Sequence, residues 1–433
     1  MNVFARWRPL ANAEEPRGTI DYSSSNASLL SISINRASSP SDRPWKSPAA
    51  FTTVFSPDDD NANVYNKVVE PNISKVLQGE SSSFFAYGHS GSGKTHTIIG
   101  YDQTASNLGL SLAAAHQLFE HLTILNESDT PQLGLGLSLF ELRGKSAYDL
   151  LNNRVECHIR EGPDGKTHIR GKTETLEHGK VRVRPIVQRA CWTFEDFQQV
   201  LQGGLARRAV GTSTIHDQSS RTHAVLELEI VNQALVDARE ALIDRQSELV
   251  PVGKRATDIS IEEQSKGYIC TDGKWGPNPN YTINQARIDE ANAEKAKFEA
   301  RVQAAEKHVS NIYNSASGLG GKIVFVDLAG AEYHQDNATS IQKGMKQTPQ
   351  EKQEGRQINT DLLALKEVIR AWSAKQTRIP FRSSPLTMVL REQFLSAKGS
   401  SSGMIVTCSP AKDQYAATLN SLKYGGLVGA ATK

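Results

Sequence analysis

Apolar residues along the chain follow two different periods, and each change of period marks a predicted element. "NVFARWR" opens as a short strand. The stretch after it, through Trp45, has turn and loop composition interrupted by one alternating piece, "LLSISI". Val64, Val68, Val69, Ile73, Val76 and Leu77 recur at helical spacing, and "SSSFFAY" then reads as a buried strand. "GLGLSLFEL", "THAVLELEIV" and "KIVFVDLAG" are further strand runs, and "FEDFQQVLQGGLARRAV" is a helix. The alternation predicts an α/β fold with a mixed, mostly parallel central β-sheet flanked by helices on both faces.

Residues 233–320 break that rhythm between two strong strands. Val231, Leu235, Ala238, Leu242 and Leu249, then Ile288, Ala291, Phe298, Val302, Ala305, Val309 and Ile312, follow spacings of three, four and seven, a heptad seam. The middle, "KGYICTDGKWGPNPN", is turn-rich. Either helix alone is marginal in water, but two packed along their seams form a hairpin. The segment is therefore expected as an antiparallel helical hairpin, an insertion within one domain spanning 1–433. A solvated loop is the alternative. The seam serves to hold the hairpin together or, on a second reading, offers a coiled-coil surface to a partner.

Composition narrows the class. Hydrophobic residues at 38% and charged residues at 22% describe an ordinary soluble protein with material for a core. No apolar run approaches the length of a membrane span, and the start has no signal-peptide block. Cys157, Cys191, Cys270 and Cys408 lie far apart without a C-x-x-C pair, which speaks for buried thiols in a reducing cytosol. The expectation is a cytoplasmic, monomeric chain without a membrane partner.

Chemistry concentrates in "FAYGHSGSGKTHTIIG", residues 85–100, which contains G-x-x-x-x-G-K-T from Gly88 to Thr95. Such a loop brings backbone N–H groups and a helix N-terminus against a polyphosphate. Lys94 would reach the β- and γ-phosphates and the Thr95 hydroxyl would take a Mg²⁺ position. Two further stretches supply a switch. "HDQSSRTH", residues 216–223, offers paired hydroxyls and Arg221. "VFVDLAGAE", residues 324–332, offers Asp327 as a water-mediated Mg²⁺ carboxylate and Gly330, whose N–H can read a γ-phosphate.

In order, these motifs resemble the kinesin motor domain, from residue 2 to about 424 apart from the insertion. "FARWRPL" is similar to the opening strand with its Arg-x-Arg-Pro, and "LFELRGKSAYDLLN" to the "E-I-Y-N-E-x-V-Y-D-L-L" strand. "HDQSSRTH" and "DLAGAE" look like switch I and switch II, and "EGRQINTDLLALKEVI" like the helix that follows. "RIPFRSSPLTMVLREQF" and "SPAKDQYAATLNSLKY" resemble the microtubule-facing loop and the last helix.

The resemblance implies that Arg8, Pro9 and His96 contact adenine, while Gly88, His89, Ser90, Gly91, Ser92, Gly93, Lys94 and Thr95 form the phosphate loop. It implies Thr95, Ser220 and Asp327 around Mg²⁺, with Ser219 beside them. Arg221 and Glu354 would form a switch I–switch II ion pair that closes with ATP bound, Gly330 would sense the γ-phosphate, and Asn359 would link switch II to the next helix. Phosphoryl transfer relies on positioning and charge stabilisation, so His89, His116 and His223 read as structural.

Residues 343–391 contain ten basic and four acidic residues, although the whole chain carries only +2. Alone, that run suits DNA or RNA equally. On segments resembling the tubulin-facing part of kinesins, it points instead to microtubules, with Lys343, Lys346, Lys352, Arg356, Lys375, Arg378 and Arg382 as contacts and no DNA or RNA. A second basic stretch, "HIRGKTETLEHGKVRVRP", falls where the family has another contact loop.

Departures from the family pattern are His216 for asparagine, His89 for glutamine, Ala331 for serine, Pro385 for lysine, and a long loop over 333–357. From "LKYGGLVGAATK" the expectation is a motor without a neck linker or dimerising coiled coil, and Gly425, Gly426 and Gly429 are expected to weaken the last helix. Two function classes follow: a microtubule-stimulated ATPase, slow or otherwise, with ATP/ADP and Mg²⁺ as cofactors, or a nucleotide- and microtubule-binding protein without directed movement.

Overall fold

The structure, a computed structural model, describes residues 1–12, 14–16, 20–24, 29–34, 45–100, 108–127, 132–162, 165–209, 221–271, 274–331, 349–395 and 401–431. The chain forms two compact units. One comprises Met1–Ile169, Ile186–Val231 and Gly318–Lys433; the other comprises Arg170–Pro185 and Asn232–Ser317.

The early strands are β1 (Asn2–Trp7), β2 (Ile20–Ser24), β3 (Leu30–Ile34), β4 (Trp45–Lys46), β5 (Thr53–Phe55) and β6 (Ser81–Tyr87). Next come β7 (Leu133–Arg143), β8 (Ser146–Asp149), β9 (Val155–Glu161), β10 (Thr167–Thr175), β11 (Val181–Pro185) and β12 (Arg189–Cys191). The last are β13 (His223–Asn232), β14 (Tyr268–Thr271), β15 (Lys274–Pro277), β16 (Lys322–Asp327) and β17 (Ser401–Cys408).

In the first unit the main sheet runs β9–β8–β7–β13–β16–β6–β17–β1–β5, with β12 beside β7, while β2, β3 and β4 make a separate small sheet. Its centre is parallel: β16 and β17 flank β6, and β17 and β5 flank β1. Antiparallel pairs extend it through β13, β7, β8 and β9. The expected mixed sheet with flanking helices is therefore present. Strands buried on both faces explain the unbroken apolar runs "SSSFFAY" and "KIVFVD".

One core gathers Phe85, Tyr87, Val324, Val326, Met404 and Val406 of these strands with Ile358, Leu362, Leu365 and Ile369 of the helix Pro349–Ser373. Phe85 stacks on Phe394 and Tyr87 on Tyr424, with ring centres 6.0 and 4.0 Å apart. Tyr424 belongs to the terminal helix Tyr415–Ala431, which continues through all three glycines expected to weaken it. Close packing offsets the cost of those glycines. A Cβ on Gly425 would lie 2.6 Å from Val406 Cγ2, and one on Gly429 would lie 2.1 Å from the Ala50 carbonyl oxygen.

The helical spacing over 64–77 is interrupted. Pro71 lacks an N–H, so helix Asn61–Val68 passes through a 3₁₀ turn, Glu70–Asn72, into helix Ile73–Val76. Cys157, Cys191 and Cys408 are buried, but Cys270 is exposed in β14.

In the second unit β10 pairs antiparallel with β11, and two helices, Gln233–Gly267 and Gln285–Tyr313, pack against each other. Arg239 near the start of one helix reaches Tyr313 at the end of the other, while Glu263 meets Arg287 at 2.7 Å, so the helices run antiparallel. The first helix begins because Asn232 ends β13 and caps Leu235 N–H at 2.8 Å; Asn284 caps the second at Arg287 N–H. The turn-rich middle contains a strand pair, β14–β15, which its short, glycine- and proline-containing sequence did not announce. The buried carboxylate of Glu263 accepts from Tyr281 Oη, Arg287 Nη1 and Asn284 N–H. Those hydrogen bonds, the tyrosine's first, pull its pKa down to about 2.

Candidate nucleotide site and switch elements

The candidate site lies at the C-terminal ends of β6, β16, β17 and β1, where the strand order changes direction around β6. Crevices at such a point are where parallel sheets accept ligands. β6 delivers the chain to Gly88, which has no room for a side chain. A Cβ there would lie 2.5 Å from both Ser92 Oγ and Thr407 Oγ1. Gly91 and Gly93 take φ of 75° and 101°, left-handed values that fold the loop back before the helix Lys94–Ile98. Ser92 Oγ donates to the His89 carbonyl at 2.8 Å and lies 2.7 Å from Thr407 Oγ1, tying the loop to β17.

Lys94 is buried, and its Nζ donates to the carbonyls of Gly88 (3.1 Å) and His89 (2.8 Å). Burial pulls its pKa down to about 8, against a smaller upward pull from Asp327. Thr95 Oγ1 donates to Asp327 Oδ2 at 2.9 Å, across 232 residues. Arg208, on the helix Phe194–Ala209, donates to the same oxygen at 2.9 Å, and both partners are buried. Asp327 Oδ1 is buried and has no hydrogen-bond partner among the described residues.

Beyond Asp327 the chain lies along the phosphate loop. Leu328 N–H donates to Ala86 O at 3.2 Å and Ala331 N–H to Gly88 O at 3.3 Å. Gly330 sits directly against the loop: a Cβ would be 2.8 Å from Ser90 N and 3.1 Å from Ser90 Cα.

Two histidines brace this arrangement. His89 Nε2 lies 3.1 Å from Thr418 Oγ1 on the terminal helix, and burial draws its pKa down to about 4. His223 Nδ1 accepts from Ala329 N–H at 3.0 Å, and its Nε2 lies 3.9 Å from Asp361. Burial and then Arg208 depress its pKa to about 3, so it stays neutral. Burial raises Asp361 to about 6.

The family model for the kinesin motor domain matches residues 6–252 and 296–430. The chain belongs to the kinesin family. The kinesin-like protein KIF24 of Mus musculus is 28% identical over 378 residues, covering 87% of this chain and 20% of the relative. The kinesin-like protein KIN-13B of Arabidopsis thaliana is 27% identical over 438 residues, covering 100% of this chain and 48% of the relative. The chain thus spans a fifth to about half the length of these relatives. The motor domain of a Kar3-like kinesin from Ashbya gossypii shares the fold, with TM-score 0.59, 19% identity and coverage of 99% and 98% of the two chains.

Within this kinesin fold the expected site residues divide into groups. Gly88–Thr95, Asp327 and Gly330 converge. Arg8 adjoins the loop, 3.9 Å from a Cβ placed on Gly93, and its guanidinium makes a two-pronged pair with Glu14 at 2.5 and 2.7 Å. Its hydrogen bond to that arginine pulls Glu14 down to about 2. Pro9 is exposed; His96 is half-buried, with its carbonyl accepting from Asn61 Nδ2. Ser219 and Ser220 lie outside the described residues, as do Lys343, Lys346 and the side chain of Lys352.

Glu354 meets Arg143 of β7 at 2.5 Å. Sequence reasoning missed both Arg143 and Arg208. Arg143 carried a signal, because it stands where the resemblance has the tyrosine of "E-I-Y". Arg208 carried none, since its partner lies 119 residues away.

Proposed function

We propose that this chain is an ATP hydrolase of the kinesin type that binds microtubules and couples the presence of a terminal phosphate to its affinity for them. The observation that carries this reading is the direct seating of the Asp327–Ala331 segment on the phosphate loop, with Thr95 and Asp327 in contact. A segment placed there is displaced or drawn in by a change at the γ-phosphate position.

Lys94 would exchange its two loop carbonyls for β- and γ-phosphate oxygens. A buried cation already depressed to about 8 gains most from an arriving anion. Thr95 Oγ1 and Asp327 Oδ1, which has no partner among the described residues, fit Mg²⁺, which is held by few protein oxygens together with substrate phosphates rather than by an all-protein cage. Mg²⁺, when bound, neutralises charge developing on those phosphates. Arg208 holds the carboxylate in place through its 2.9 Å hydrogen bond to Oδ2. Arg8 and His96 flank the loop as candidates for the adenine, and Ser219, Ser220 and Arg221 would complete the hydrolytic set with Gly330 and Glu354.

For the track, support comes from the helix Pro349–Ser373 and the segment beyond it. Arg356, Lys375, Arg378 and Arg382 are exposed there. Part of the positive excess is offset, because Arg382 and Arg391 converge on Glu161 at 2.7 and 3.1 Å.

A second reading, nucleotide and microtubule binding without directed movement, is favoured by the Arg143–Glu354 pair, which holds the switch II glutamate on β7. Steady-state ATPase with and without microtubules, beside a surface-gliding assay, separates the two. Stimulated hydrolysis with gliding supports the motor; stimulation without gliding supports the second reading; no hydrolysis defeats the first.

A further inference from the structure

The basic stretch that reads as a second track contact is already engaged by acids of the insertion. Lys180, Arg182 and Arg184 project from β11 and the turn before it at every second position. Glu248, Asp244 and Glu240 stand at every fourth position of the helix Gln233–Gly267. The pairs are Lys180–Glu248 at 3.4 Å, Arg182–Asp244 at 3.9 Å and Arg184–Glu240 at 3.1 Å.

The match is metric as well as electrostatic. Residues two apart on a strand are separated by about 6.6 Å, and residues four apart on a helix by about 6 Å. Three pairs therefore stay in step when helix and strand run in opposite directions. The neighbouring charges are Glu174 of β10, which touches Arg182 and Arg184, and Arg245, which touches Glu248. Glu240 and Asp244 each remain about half exposed, and Lys180 is open where Glu248 is mostly covered, so water and salt reach one side of every pair.

We infer that this acidic stripe is an intramolecular stand-in for an acidic polypeptide, occupying the β10–β11 basic face and restraining its use as a docking surface. Exposed ion pairs are weak and screened, so an acidic partner at high local concentration can replace them. A buried anchor such as Glu263 could not exchange in this way, and it holds the far end of the hairpin together while the stripe lets go. The inference rests on the microtubule reading for the identity of the partner, though not for the masking itself.

The full chain carrying Glu240→Gln, Asp244→Asn and Glu248→Gln tests it with two probes, microtubules and poly-L-glutamate. Both are expected to bind roughly three- to tenfold more tightly than to the unaltered chain at low salt. The gain should vanish at high salt, and again when Lys180, Arg182 and Arg184 are also changed to alanine. Asp244→Asn alone should give a smaller gain of the same sign, which covers a triple variant that fails to fold. Unchanged poly-L-glutamate affinity in a folded variant overturns the masking. A gain for poly-L-glutamate with no microtubule binding by either protein upholds the masking and removes the microtubule reading.

Discussion

Two sets of charges in this molecule obey opposite rules. Around Asp327 the polar partners among the described residues come from different elements: half-buried Thr95 from the loop helix and buried Arg208 from the helix Phe194–Ala209, meeting a buried carboxylate on β16. Along β11 three pairs stand in a row, each with at least one side chain open to water. Breaking a buried pair strands a charge at a cost of about 3–5 kcal/mol, whereas an exposed pair contributes about 0–1 kcal/mol. The first arrangement holds one geometry. The second can trade partners without unfolding anything.

The sharpest way to break this contrast is Arg208→Ala, which should lower unfolding stability by about 3–5 kcal/mol in a urea titration. Glu240→Gln should shift it by under about 1 kcal/mol. Next in size, Lys94→Ala should weaken ADP binding on the order of 100-fold, the loss of one buried charge-assisted contact, read by fluorescence titration. Gly330→Ala should lower hydrolysis by roughly tenfold or more, because its methyl meets Ser90 N at 2.8 Å and one of the two backbones must shift.

The pH dependence follows with its sign fixed. Nucleotide prefers protonated Lys94, and the free-state value is about 8. ADP affinity should therefore fall as pH rises above about 8, by at most about tenfold per unit. In Lys94→Ala that decline should be absent. The smallest effect belongs to Arg143→Ala. This pair is part-exposed, so removing it should change the hydrolysis rate by only about two- to fivefold. A larger change would place that pair with the buried set.

How much was legible beforehand divides along the same line. The phosphate loop could be read because its glycines encode backbone shape directly, and Asp327 because it ends an apolar strand. Arg208 and Arg143 could not, since each acts on a partner brought near only by the sheet. The basic period-two run over 180–184 and the acidic period-four run over 240–248 were both visible, but nothing in either announced the other. The three glycines of the terminal helix misled for a related reason: their cost is local, while the contacts that offset it, with Phe51, Val406 and Ala50, are distant in sequence.

The central claim is that a terminal phosphate, read where Gly330 meets Ser90, changes the grip on a microtubule. Cosedimentation of the full chain with microtubules, in ADP and in a non-hydrolysable ATP analogue, measures it directly. The account predicts affinities differing by about tenfold or more between the two nucleotides. Equal affinities, with both nucleotides shown to be bound, would contradict it.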